Sequence, residues 1–156
     1  MMVDAEQTYF QTAINYLATE LQRYYNKNGV PNIYGTYQCY LKVSDSPAME
    51  HCLHPFHLNN EQETLDSVKK DLALAEKDGY IFAAKLVRGA YIEQERRLAR
   101  ENGYEDPINP NVETTTQMYH ACLDEVLKSI VKRKRDQVRI MVASHNEDTI
   151  RYGIQQ

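Results

Sequence analysis

Apolar residues recur along this chain at two alternating periods. From Thr8 onward Phe10, Ile14, Leu17, Leu21 and Tyr24 fall at three- and four-residue steps, which predicts a helix with those side chains on its buried face, and the polar "NKNG" ends it. Leu65, Val68, Leu72 and Ala75 repeat the pattern, predicting a second helix over residues 61–78 with Gly79 as its C-terminal cap. Met118, Cys122, Val126 and Ile130 predict a third, from about Val112 into the basic "KRKR" at Lys132 to Arg135. A short charged helix, "IEQERRLARENG", stops at Gly103, and another starts at "EDTIRYG".

Strand-like segments lie between these helices. "NIYGTYQCYL" alternates and is aromatic, "IFAAKLV" and "VRIMVAS" are short β-branched runs, and "MMVDAE" opens apolar and ends in two carboxylates, Asp4 and Glu6. Strand, helix, strand, helix implies a parallel sheet buried on both faces, either open and doubly wound or closed as a barrel. In both architectures ligands gather at the carboxyl ends of the strands. This chain keeps polar groups there: Asp4 and Glu6, Gln38 and Lys42, Lys85 and Arg88, His145 and Asn146.

Composition narrows the picture only modestly. The chain has 156 residues, 42% of them hydrophobic and 26% charged, as expected of one globular domain. A net charge of −4 with both signs interspersed gives no reason to expect nucleic acid or an anionic membrane surface as partner. Cations in "KRKR" suit the negative end of the preceding helix. No apolar run approaches the roughly 18 residues of a membrane span, and no transit segment is expected at the start. Cys39, Cys52 and Cys122 lack the paired spacing of a zinc site and read as reduced structural thiols. His51, Cys52, His54 and His57 in "HCLHPFH" include metal-ligating residue types, but the surrounding irregular loop argues for a solvated segment.

The site's chemistry is partly legible. Lys85 and Arg88 supply fixed positive charge, Gly89 permits close backbone approach, and "SHNED" places free helix N–H groups beside His145, so the expected ligand is anionic and phosphate-bearing. Neither GxGxxG nor a P-loop is present, which argues against a Rossmann-type dinucleotide site.

In order along the chain, "MVDAEQTYF", "TYQCYLK", "AKLVRGAY", "GYEDPINP" and "MVASHNEDT" resemble the catalytic domain of proline dehydrogenase (proline oxidase) in its animal form. The resemblance implies a (β/α)8 TIM-barrel flavoenzyme of the mitochondrial matrix, associated with the inner membrane. It implies FAD-dependent oxidation of L-proline to 1-pyrroline-5-carboxylate, with electrons passed to quinone. By the same resemblance Asp4 and Lys85 take the catalytic positions, Lys85 near the flavin N5. Ala5, Gln38, Arg88, Gly89, Ala90, Ser144 and His145 would contact FAD, with Arg88 toward the ribityl and phosphate part and His145 at the pyrophosphate. Tyr91 would pack on the substrate ring. Bacterial relatives carry arginine at the position of Lys85 and lysine at that of Arg88.

Two departures from the family pattern stand out. Residues 43–62 are longer than the family's connection and unlike it, an atypical loop insertion within an otherwise continuous catalytic segment over residues 1–156. A (β/α)8 barrel takes about 250 residues, so only about half of one is expected here. The downstream arginines that clamp the proline carboxylate are absent, which predicts that the chain alone neither closes a barrel nor turns over proline, and that its open edges favour association. "EQTYF", "YQCYLK" and "YEDPINP" look more like the proline than the hydroxyproline enzyme. Two other readings remain: a lyase using Lys85 as a Schiff-base amine, and a non-catalytic decoy that pairs with the full-length enzyme.

Overall fold

The structure is a computed structural model that describes residues 1–42, 63–133 and 136–156. The atypical 43–62 segment, with its histidines and Cys52, lies outside the described residues, as do Lys134 and Arg135. Eight elements follow one another: α1 (Thr8–Tyr25), β1 (Gly35–Gln38), α2 (Glu63–Asp78), β2 (Phe82–Val87), α3 (Ile92–Asn102), α4 (Val112–Lys132), β3 (Val138–Ala143) and α5 (Glu147–Gln155). The strands form one parallel sheet in the order β1-β2-β3. A parallel bridge between Met2 and Tyr34 adds the chain's opening on the outer side of β1. Neighbours in sequence are thus neighbours in the sheet.

Alternation along each strand divides the sheet into two faces. Phe82, Ala84 and Leu86 of β2, with Tyr37 of β1 and Val138 of β3, join Leu65, Val68, Leu72 and Ala75 of α2 and Tyr119, Cys122, Leu123 and Val126 of α4 in one core. Full burial of each large apolar side chain there stabilises the fold by about 1.5–3 kcal/mol. The predicted faces of α2 and α4 are therefore the observed ones, with Met118 and Ile130 at the margin of the core. Gly79 and Gly103 adopt φ of 71° and 70°, the left-handed conformation in which a helix end favours glycine.

The expected apolar face of α1 is not the buried one. Phe10, Leu17 and Tyr24 are 53%, 54% and 73% exposed, whereas Ala18, Gln22 and Asn26 are buried. Small and amide side chains let α1 approach the strands closely. At Gly35 an added Cβ would stand 3.2 Å from Gln22 Nε2 and 3.7 Å from Ala18 Cβ. The two amides then pair with backbone at and just before the amino ends of the strands. Gln22 donates to Ala83 O and accepts from Ala83 N–H at 2.9 and 3.2 Å. Asn26 donates to Ile33 O and Ile81 O and accepts from Ile33 N–H, at 2.7, 3.0 and 2.7 Å. Buried backbone groups must be paired, so this amide clamp holds the amino ends of β1 and β2 together.

Candidate functional site

Lys85 is not at the end of its strand, as the sequence suggested, but within it. Strand alternation turns it to the face away from the helices, in a cross-sheet row with Thr36 of β1 and Met141 of β3. Its Nζ donates to Asp4 Oδ1 and Oδ2 at 2.9 and 3.1 Å, an ion pair between sequence positions 81 apart. Thr36 fixes the approach of that carboxylate by donating from Oγ1 to Val3 O at 2.9 Å. Burial pushes the Asp4 carboxyl up, but the hydrogen bonds from Lys85 and from its neighbour Ala5 N–H outweigh this and hold it below its usual 3.8. The lysine stem is largely covered while Asp4 remains exposed, so the pair opens toward solvent on one side. Lys85 is engaged as a donor, which argues against a free Schiff-base amine.

Arg88 follows directly after β2. Its guanidinium donates to Thr116 Oγ1 of α4 at 2.6 Å and to Thr149 Oγ1 of α5 at 2.9 Å. Among the described residues no carboxylate lies within ion-pair distance of it, so two neutral hydroxyls hold a cation whose charge is uncompensated. Thr149 is fully buried and its N–H donates to Asn146 Oδ1 at 2.9 Å, the N-cap of α5. Ser144 Oγ accepts from Asn146 N–H at 3.0 Å, and exposed His145 lies between them in sequence. Arg88 is thereby anchored to the helix whose N-terminus Ser144 and His145 precede.

The remaining site positions surround a buried network. Gln38 Nε2 donates to Glu6 O and to Gln11 Oε1, both at 3.0 Å, and Gln38 Oε1 accepts from the Tyr40 hydroxyl. Burial pushes the Tyr40 phenol up to about 12, so it stays protonated as a donor. The same hydroxyl accepts from Tyr91 N–H at 3.3 Å. Gln38 is thus occupied by protein partners in this state. Ala5 is buried, whereas Gly89 and Ala90 are exposed in the turn after Arg88. A Cβ at Gly89 would stand 2.8 Å from Ile92 Cδ1, the far end of a side chain that can shift, so packing of the turn onto α3 does not by itself require the glycine.

Lys42 leaves the group, because it pairs with Glu105 at 2.6 Å in the loop after α3. Cys39 and Cys122 are free, buried thiols, as expected. Among the described residues no group of three potential ligands could hold a metal ion, and no helix is long and apolar enough to cross a membrane. A crevice lined by Ala18, Gln22, Gly35 and Asp71 lies against α1 on the helix side of β1, away from Lys85. Sequence reasoning missed Thr116, Thr149, Tyr40 and Glu95. No local sequence signal marks them, and only in the structure does the burial of Glu95, 1% exposed in the first turn of α3, point to a long-range partner.

The donor set suits an anionic, phosphate-bearing cofactor. An uncompensated guanidinium beside a helix start can take a diphosphate, and an ammonium on the open sheet face can meet a ring that becomes more negative on reduction.

Comparison with known proteins identifies relatives of the chain. The family model described as proline dehydrogenase matches residues 61–156. The chain is 48% identical over 154 residues to "Proline dehydrogenase 1, mitochondrial" of Homo sapiens and 45% identical to the Caenorhabditis elegans protein of that name, covering 99% of this chain and 22% of each relative. It is 36% identical to hydroxyproline dehydrogenase of Bos taurus, over 97% of this chain and 29% of that protein. The chain therefore spans about a fifth of the length of the proline dehydrogenases it matches. In fold it is similar to crystalline proline utilization A from Bdellovibrio bacteriovorus inactivated by N-propargylglycine. That likeness has a TM-score of 0.74 at 23% identity, over 98% of this chain and 13% of the other.

Proposed function

Given that the chain belongs to the proline dehydrogenase family, we propose that it carries the flavin-facing part of an enzyme that oxidises L-proline to 1-pyrroline-5-carboxylate. The observation that carries this reading is the pairing of Asp4 with Lys85 on the open face of a parallel sheet, three residues before an Arg88 held by two hydroxyls and, among the described residues, by no carboxylate. The sheet is a segment of a (β/α)8 barrel, a reading supported by strands that are adjacent in chain order with α2 and α4 packed on the same face.

In this reading Arg88, Ser144 and His145 hold the diphosphate region of FAD, and Ala5, Gln38, Gly89 and Ala90 contact it at the strand ends. Bound FAD supplies a two-electron acceptor for the hydride from the substrate carbon. Lys85 places fixed positive charge where negative charge develops, an effect worth several kcal/mol when preorganised in a water-poor site. Asp4 keeps that ammonium aimed across the sheet, and Tyr91 offers an aromatic surface for the pyrrolidine ring. The acceptor for the electrons is a quinone, in keeping with a mitochondrial enzyme at the inner membrane. Residues 1–156 by themselves do not turn over proline in this reading, since among the described residues the adjacent Arg96 and Arg97 are paired with Asp106 and Glu101 rather than held ready for its carboxylate.

A segment exchange tests the proposal. Residues 1–156 replace the matched 154-residue stretch of the human enzyme. The chimera should oxidise L-proline, and Lys85→Met within it should lower kcat about a hundredfold or more. A chimera that folds and retains FAD but leaves L-proline unoxidised would contradict it.

A further inference from the structure

Glu95 is a buried acidic residue on α3 that none of the roles above uses. Its carboxyl group reaches across the molecule to the first residue of α1. Thr8 N–H donates to Oε1 at 2.9 Å and Thr8 Oγ1 donates to Oε2 at 3.1 Å. The residue that should cap α1, Gln7, makes no side-chain cap bond, so Glu95 performs the capping from another helix. A negative group there also complements the positive end of the α1 dipole.

The contact closes a ring. From Thr8 it runs to the Glu95 carboxyl, and Glu95 N–H donates to Tyr91 O at 2.9 Å. Tyr91 N–H donates to the Tyr40 hydroxyl, that hydroxyl to Gln38 Oε1, and Gln38 Nε2 to Glu6 O, two residues before Thr8. Gln38, Tyr40 and Glu95 are no more than 5% exposed. The ring therefore ties the turn that carries Asp4 to the turn that carries Gly89 and Tyr91. Those two turns flank Lys85.

We propose that Glu95 is a positioning residue, which holds the Asp4 turn and the Tyr91 turn at a fixed separation so that Asp4 meets Lys85. The assignment of Asp4, Lys85 and Tyr91 to chemistry rests on the function proposed above, but the positioning itself does not.

The test follows amide exchange at Thr8 and the titration of the Asp4 carboxyl by NMR in the 156-residue chain. Glu95→Ala should speed Thr8 exchange about five- to tenfold, the usual scale for a lost cap, and return the Asp4 titration toward 3.8. Glu95→Gln keeps an acceptor for Thr8 N–H and should restore both readouts to near wild type. Thr8→Pro keeps the helix start, because proline is favoured at the first helical position and Gln7 is already extended, yet it removes both donors. It too should release Asp4, and it carries the test if Glu95→Ala does not fold. An Asp4 titration unchanged in both variants would overturn positioning, whatever Thr8 exchange does. Lack of FAD binding by the wild-type chain would instead count against the function proposed above and leave these readouts intact.

Discussion

The two ends of one sheet are built on opposite principles. At the amino ends of β1 and β2, Gln22 and Asn26 are buried amides whose side-chain hydrogen bonds go to backbone at or just before the strands. Toward the carboxyl ends, Asp4 is exposed, Lys85 reaches it from within β2 with its stem largely covered, and Arg88 just after β2 is held by two hydroxyls with no carboxylate in ion-pair distance among the described residues. Saturated polar groups at one end and reserved ones at the other place stability and chemistry in separate layers. A parallel sheet permits this separation because its strands all point the same way.

The sharpest way to break the comparison is at Asn26. Asn26→Ala leaves three buried backbone groups unpaired and should destabilise the chain by about 3 kcal/mol or more, read as a lower denaturant midpoint. A loss of under about 1 kcal/mol would mean water replaces the amide. Tyr119 gives an intermediate case, since its hydroxyl donates to Leu86 O at 3.1 Å from within the core. Tyr119→Phe should cost about 1 kcal/mol in thermal or chemical unfolding.

At the other end the same kind of change should scarcely register in stability. Asp4→Asn removes an ion pair whose acid is largely exposed, worth at most about 1 kcal/mol. Because the Asp4 carboxyl is held below 3.8, its contribution is present above that pH and is lost as pH falls through the folded value. Wild type and Asp4→Asn should therefore converge in stability in acid and separate slightly above it. Failure to converge would point to a role in packing.

The smallest effect expected is outside both layers. His120 stacks on Tyr152 at 3.8 Å between α4 and α5, and burial lowers its usual 6.5. The neutral ring is thus favoured by folding, so this contribution is complete above 6.5 and declines as pH falls through the folded value. His120→Phe should flatten that part of the stability profile.

Much of this organisation was legible in the sequence, for reasons that differ by element. The faces of α2 and α4 follow from periodicity because their partners are apolar, and Gly79 and Gly103 mark helix ends that favour left-handed φ. On α1 the same periodicity misled, because Ala18, Gln22 and Asn26 are buried for close approach and backbone pairing rather than for hydrophobicity. Of the candidate site, Asp4, Lys85 and Arg88 could be named from strand ends and family motifs. Thr116 and Thr149, which hold Arg88, and Glu95, which holds Thr8, are brought in by packing between distant positions, which leaves no local trace.

The account rests most heavily on the carboxyl ends of the strands being the flavin face. It is tested most directly by the visible spectrum of the purified chain with FAD, recorded anaerobically for wild type and Arg88→Met, before and after addition of L-proline. The prediction is a bound-flavin spectrum in wild type that Arg88→Met loses, with no bleaching by L-proline. Equal flavin binding by both proteins, no binding by wild type, or bleaching on addition of L-proline would contradict it.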